Sequence, residues 1–476
     1  MHQRSCYCFR FVALVAIAAC CLSSARSQAA ANSYLIRNVP HVQQKPDFCG
    51  EACVASWLQK IGAHADQDDV FNASGLDPSL GRGCYTKELL AAVKRIGFQP
   101  GSVWNRISVA DKDNEIQAIW AAMLADLAND VPSIICMRTS NGPTATEHFR
   151  LVLGYDATSD EIIYHEPAVA GGAYQRMPRM ELIELWPLKY DAEQWLIIRF
   201  ALRCDDLPLI SKPSGYSPAD YAQHIMRLKS RLPSKDFTVL IEHPFVVIGD
   251  QEPQQVNRWA EQTIRWATTR LKKQYFRQDP NQILDIWLFK DKASYEANTL
   301  RLFGSKPSTP YGYYSSTEGA LVMNIATGGG TLVHEIVHPF IEANFPDCPA
   351  WFNEGLGSLY EQSTSRNEHI MGLTNWRLAG LQKAIKRNTV PSFATLCGTT
   401  THQFYRQDPG TNYAQARYLC YYLQEKNLLG KFYHDFVANH KTDPGGYKTL
   451  QATLGVTDMQ QFKQDWERYV LGLRFP

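Results

Sequence analysis

His334-Glu335-Ile336-Val337-His338 sets two imidazoles and a carboxylate at a spacing that suits metal chemistry. On a helix, residues four apart share a face, so both histidines can reach one ion from the same side. Glu335 then lies beside that ion, placed to polarise a bound water. Asn353-Glu354-Gly355 follows inside a second apolar, helix-compatible run, Ala350-Trp351-Phe352 and Leu356-Gly357-Ser358-Leu359-Tyr360. A carboxylate there completes a set of His334, His338 and Glu354 with one open position, the ligand pattern of a catalytic zinc. The bland alternative is a solvated helix face. Leu332, Val333, Ile336, Val337, Phe340 and Ile341 argue against it, because they bury the helix, and buried polar groups need partners.

A second set lies near the N-terminus. Cys49 falls in the first turn of a helical pattern that starts near Asp47. The positive end of a helix dipole lowers a thiol's pKa and favours the nucleophilic thiolate. A glutamine a few residues upstream, Gln43 or Gln44, can set an amide where an oxyanion forms. His148 opens a strand-like run, Phe149 to Asp156, and Glu166 closes the next one. Two adjacent antiparallel strands bring that histidine to that acid. Cysteine, histidine and acid then form a nucleophile, base and orienter set.

The elements needed to hold these groups are readable. Phe237–Ile241, Phe245–Ile248 and Ile283–Phe289 read as strands, and Pro253–Tyr275 as a long helix. Gly312–Ser316 and Ala320–Ile325 read as a hairpin, and as a sheet edge Ala320–Ile325 can bind an extended peptide by strand addition. Thr331 is an expected N-cap for the metal helix, and after Glu361 the chain reads as helix. Tyr413 and Tyr405 are candidate donors to a tetrahedral oxyanion, although tyrosines at helical spacing more often build core. A change of composition separates the halves: Asp205–Pro218 carries Pro208, Pro213 and Pro218 around Ser214-Gly215, a linker pattern.

The second set resembles the C39-like cysteine peptidases, which have a papain-like fold. The resemblance rests on Gln44, Cys49 and Gly50, on His148 before a strand ending Gly-Tyr-Asp, and on an acid before proline. It implies Cys49 as nucleophile, His148 as base, Glu166 as orienter and Gln44 as oxyanion donor. The family usually has aspartate before that proline, one methylene shorter than Glu166. The first set resembles the gluzincin zinc metallopeptidases, with support from Trp351 and Gly355 around Glu354. That implies His334, His338 and Glu354 as zinc ligands and Glu335 as general base. Pro339 departs from the pattern: it removes the amide that would bond the Glu335 carbonyl, so a kink is expected there.

The 476 residues are therefore expected to form an α+β protein: an export signal (1–30), a papain-like domain (33–204), a linker with a short helix (205–234) and a zincin-like domain (235–476) with a mixed sheet and a helical C-terminal half. Arg4 and Arg10 before the apolar Phe11–Leu22 suit a signal peptide, and Ile17-Ala18-Ala19-Cys20 also resembles a lipoprotein box with Cys20 lipidated. An exported protein invites disulfides, and Cys348 with Cys397 is one pairing to test. A net charge of +1 gives no reason to propose nucleic acid as partner. Peptide or protein is the expected substrate. Three readings stay open: two peptidase sites, one peptidase site with a binding or regulatory half, or an envelope-bound binding protein without turnover.

Overall fold

The computed structural model describes residues 32–205 and 215–475. Both the export signal and the candidate lipidation at Cys20 lie outside the described residues, as does most of the Pro-rich linker. Among the described residues no helix is long and apolar enough to cross a membrane.

The N-terminal half is built on one antiparallel sheet. Its strands are β1 (Tyr34–Leu35), β2 (Trp104–Ser108), β3 (Ser133–Arg138), β4 (Glu147–Asp156), β5 (Glu161–His165), β6 (Gln175–Pro178) and β7 (Gln194–Ala201). They lie in the order β2-β7-β3-β4-β5-β6, with β1 pairing β4. The helix Cys49–Lys60 packs across this sheet with Val54, Ala55 and Leu58 in the core beside Leu151 and Leu153 of β4. Gly50 makes the close approach possible, since a Cβ there would stand 2.7 Å from Leu89 Cδ2 and 3.1 Å from Phe149 Cδ2.

The C-terminal half holds a second sheet of β8 (Thr238–Glu242), β9 (Phe245–Gly249), β10 (Leu284–Phe289), β11 (Gly312–Ser315) and β12 (Ala320–Asn324), in the order β11-β12-β10-β9-β8. β9, β10 and β12 run parallel, and β8 and β11 join antiparallel at the two edges. The parallel strands are buried throughout, which is why they read as continuous apolar runs. Helices form the rest, apart from a short hairpin of β13 (Ser363–Arg366) and β14 (His369–Gly372).

Several expectations need correction here. The sheet edge is β11, not Ala320–Ile325, because β12 is flanked on both sides. The helix that carries His334 and His338 spans Gly329–Asn344, so it begins two residues before Thr331; Pro339 lies inside it. Proline costs that helix one hydrogen bond, while Leu332, Ile336, Phe340 and Ile341 keep it seated in the core. The hairpin β13–β14 is a further departure from the all-helical expectation after Glu361: β13 is polar and β14 only four residues long. All eight described cysteines are free thiols, so Cys348 and Cys397 are not joined.

The helix Pro218–Lys229 serves both halves. Ala219 and Ala222 enter the N-terminal core, while Tyr221, Ile225 and Leu228 pack against the second sheet. Gln223 Nε2 also donates to the Pro46 carbonyl at 2.9 Å, close in sequence to Cys49.

Candidate functional site

Cys49 is the first residue of its helix, and Phe48 before it gives no side-chain cap. The amide of Phe149, next to His148, hydrogen-bonds the sulfur. Burial nevertheless pushes the thiol up to about 12, helped by the charges of Glu51 and Asp47 and opposed by the Phe149 and Gly50 amides. The lowered pKa expected from the helix dipole is therefore not found. Desolvation of a thiolate outweighs one helix end, so a base has to take the proton as the sulfur attacks.

The strand pairing that opposes β4 to β5 carries that base to its acid. His148 Nε2 lies 2.5 Å from Glu166 Oε1, and Arg150 Nε donates to Glu166 Oε2 at 2.7 Å. Burial raises the Glu166 pKa, but the His148 bond, the charges of His148 and Arg150 and the Ala168 amide prevail and hold it at about 2. With Nε2 engaged by the acid, Nδ1 is the ring nitrogen of His148 left for the thiol. Arg150 is thus buried beneath Glu166, and its charge keeps the carboxyl ionised.

Gln44 is half-buried, Gln43 exposed. The Gln44 amide N–H donates to the Pro167 carbonyl at 2.9 Å, which ties this segment to the Glu166 turn. Its side-chain Oε1 is buried without a partner. Gln43 has its carbonyl taken by Gln67.

In the other half, the helix Gly329–Asn344 presents His334, Glu335 and His338 toward the helix Ala350–Leu359, which carries Glu354. Ligand atoms of His334, His338 and Glu354 all lie within 4.8 Å of one another. His334 Nε2 is 3.1 Å from Glu354 Oε2, and His338 Nε2 is 4.0 Å from the same oxygen. Tetrahedral zinc with bonds of about 2.0–2.1 Å needs its ligand atoms roughly 3.3 Å apart; His334 and Glu354 stand near that spacing, His338 stands wider, and the donor types suit such an ion.

The surroundings fix the donor nitrogens. His338 Nδ1 is 2.9 Å from Asn353 Oδ1, and His334 Nδ1 is 3.4 Å from Glu361 Oε1, an ion-pair separation rather than a hydrogen bond. Both Nδ1 atoms face acceptors, which leaves both Nε2 atoms facing Glu354. Gly357 makes room for the His334 ring, since a Cβ there would stand 3.2 Å from its Nε2.

Burial pushes the Glu354 carboxyl up, but His338, His334 and Tyr405 outweigh it and hold it at about 2. Glu361 is held at about 2 against burial by His334 and Arg377, which grips it at 2.8 and 3.1 Å. Burial favours neutral His334, yet Glu354, Glu361 and Glu335 raise its pKa above the ordinary value. Carboxylates converging on two imidazoles make a site that suits a dication.

Glu335 accepts the Tyr314 amide from β11 at 3.0 Å, so the general-base candidate is tied to the sheet edge. Tyr405 OH donates to Glu354 Oε1 at 2.5 Å. Tyr413 stands beside it, the two rings 6.2 Å apart. Burial and the Glu354 charge raise both phenol pKa values, so both hydroxyls keep their protons.

Asn353, Glu361, Arg377 and the Tyr314 amide were not singled out from the sequence. Glu361 lies just past the end of the helix Ala350–Leu359, so helix-face spacing from Glu354 does not mark it. The others likewise depend on tertiary neighbours.

Residues 36–192 match the Peptidase_C39 like family. The C39-like domain so defined contains Cys49, His148 and Glu166, and its match stops short of the second sheet. Among solved structures the chain is similar to the peptidase domain of Streptococcus ComA, described as a bi-functional ABC transporter involved in a quorum sensing pathway. Identity is 16%, with 34% of this chain and 98% of that one covered and a TM-score of 0.22. No curated protein matches the chain.

Proposed function

We propose that this chain is an exported peptidase with two sites, a cysteine site in the C39-like domain and a zinc site in the C-terminal half, on a zincin-like fold. The family match supports the first. The second is carried by one observation: His334, His338 and Glu354 converge within 4.8 Å.

In the cysteine site, His148 Nδ1 takes the thiol proton as Cys49 attacks a peptide carbonyl, and Glu166 stabilises the imidazolium. The Gln44 side chain would donate to the oxyanion through its amide nitrogen. His148 then protonates the leaving amine, and water releases the acyl group.

In the second site, His334, His338 and Glu354 would hold zinc, which supplies an acidified water and polarises the carbonyl. Glu335, steadied by the Tyr314 amide, takes the proton from the attacking water and passes it to the departing amine. Tyr405 and Tyr413, both protonated, donate to the developing oxyanion. Peptide hydrolysis by the metal-loaded chain, lost in Glu335→Gln with metal retained, tests this assignment.

A second reading makes the C39-like domain a substrate-binding half. The Cys49 thiol pushed up to about 12 favours it, because a resting thiol of that basicity is a poor nucleophile unless His148 assists. Labelling of Cys49 by a thiol-directed peptide electrophile separates the two.

A further inference from the structure

Two cavities meet at Glu335. One, of about 420 Å³, is lined by Tyr313, Tyr314, Glu335, His338, Glu354 and Tyr405. The other, of about 930 Å³, is lined by Tyr311, Gly312, His334, Glu335, Trp376 and Tyr413, with the glycine run 328–330 forming part of its wall. The edge strand β11 and the residue before it pass along both: Tyr311 and Gly312 face the larger, Tyr313 and Tyr314 the smaller. A chain laid against that edge therefore has room on each side of the general-base candidate.

We propose that the C-terminal site cuts internal peptide bonds and selects a bulky apolar or aromatic side chain, seated in the larger cavity against Tyr311 and Trp376. This rests on the reading of that site as a peptide hydrolase.

Cleavage within a chain follows from the room on both sides of Glu335, which lines both cavities. A site that trims termini needs a free charge to hold the end of the substrate. Arg377 lines the larger cavity, but Glu361 holds its guanidinium through two hydrogen bonds. Glu342 lines the smaller one, and its Oε2 accepts the Tyr314 hydroxyl at 2.7 Å. Arg377 is thus oriented toward Glu361, and Glu342 toward Tyr314, rather than across the reacting groups at one end of the groove.

The preference for a large side chain follows from size and surface. Trp376 is 55% exposed and Tyr311 54%, a pair of large aromatic faces left in water beside the reacting groups. Covering them with an apolar side chain is favourable, and aromatic pairs add about 0.5–1.5 kcal/mol beyond area burial. In the same lining, Gly328, Gly329 and Gly330 bring no side chains into the space. The chain cannot fill that wall freely: Gly328 has φ +100, and a Cβ on Gly330 would stand 2.1 Å from the Glu361 carbonyl oxygen. The smaller cavity carries three carboxylates, Glu335, Glu342 and Glu354, and is the less suited to an apolar group.

The test uses the full chain loaded with zinc and internally quenched peptides blocked at both ends, with Phe or Ala placed in turn around the cleaved bond. Cleavage lost in Glu335→Gln is assigned to this site. Blocked peptides are expected to be cut, with Phe favoured at one position. Trp376→Ala and Tyr311→Ala should each lower kcat/KM for the Phe peptide by about tenfold and for the Ala peptide by less than about twofold, with zinc content unchanged. A strict need for a free terminus overturns the proposal, as does a Phe preference equal in wild type and both variants. If the zinc-loaded wild type cuts no peptide, the hydrolase reading itself fails, and the subsite with it.

Discussion

His148 Nε2 and Glu166 Oε1 lie 2.5 Å apart, and that contact fixes which nitrogen of His148 can serve Cys49. The acid holds Nε2–H, so the basic lone pair is on Nδ1. Glutamate for aspartate adds a methylene, and Arg150 at 2.7 Å steadies the longer side chain.

Glu166→Gln should therefore disable the base while leaving the fold in place. An amide can present either its oxygen or its nitrogen to His148, and it no longer stabilises the imidazolium. The rate of Cys49 acylation should fall on the order of 10³-fold. Labelling by a peptide electrophile, read by mass spectrometry of the Cys49 and Cys53 peptides, checks this. Cys53 should stay unlabelled, because it is buried and its thiol pKa is raised. Equal labelling of Cys49 in wild type and variant would contradict the assignment.

Glu51 gives a pH dependence of opposite sense to that of Glu166. It is fully buried, and desolvation raises its carboxyl from 4.5 to about 7 despite the Cys84 amide. The folded domain thus holds a proton that the unfolded chain releases at about 4.5. That contribution is full below about 4.5 and is lost as pH rises through 7, amounting to about 3 kcal/mol. Glu166, held at about 2, contributes above about 4.5 and loses its share as pH falls toward 2. Urea unfolding of wild type and Glu51→Gln should diverge between pH 5 and 8 by about that amount, the variant losing less. Parallel curves would contradict this.

The proposed general base can be separated from the proposed ligands. Glu335→Gln should keep bound zinc and lose peptide hydrolysis by roughly 10²–10⁴-fold. Metal loss in this variant would place Glu335 among the ligands instead.

Asn353 orients His338 through a 2.9 Å contact with Nδ1. Asn353→Ala should weaken zinc binding about 10–100-fold, measured by competition with a chelator. Unchanged affinity would leave Asn353 without that role.

Local spacing carried much of this into view. The four-residue step from His334 to His338 and the apolar run around Glu354 are readable because one helix face sets both. His148 and Glu166 were readable because an antiparallel pair joins the start of one strand to the end of the next. What depends on packing was not. Pro339 was legible as a residue that removes one helix hydrogen bond, but that the helix runs on to Asn344 depends on Phe340 and Ile341 being buried in the core. The helix dipole suggested a reactive Cys49, and desolvation reversed the sign. Strands β11 and β12 were both visible, yet which one forms the edge is set by β10, far away in sequence.

Metal content of the purified chain, beside His334→Ala and Glu354→Ala, tests the central claim most directly. The account predicts about one zinc per chain in the unmodified protein and none in either variant. No zinc in the unmodified protein after zinc is restored would contradict it, leaving the Cys49 site to be tested for the chain's chemistry.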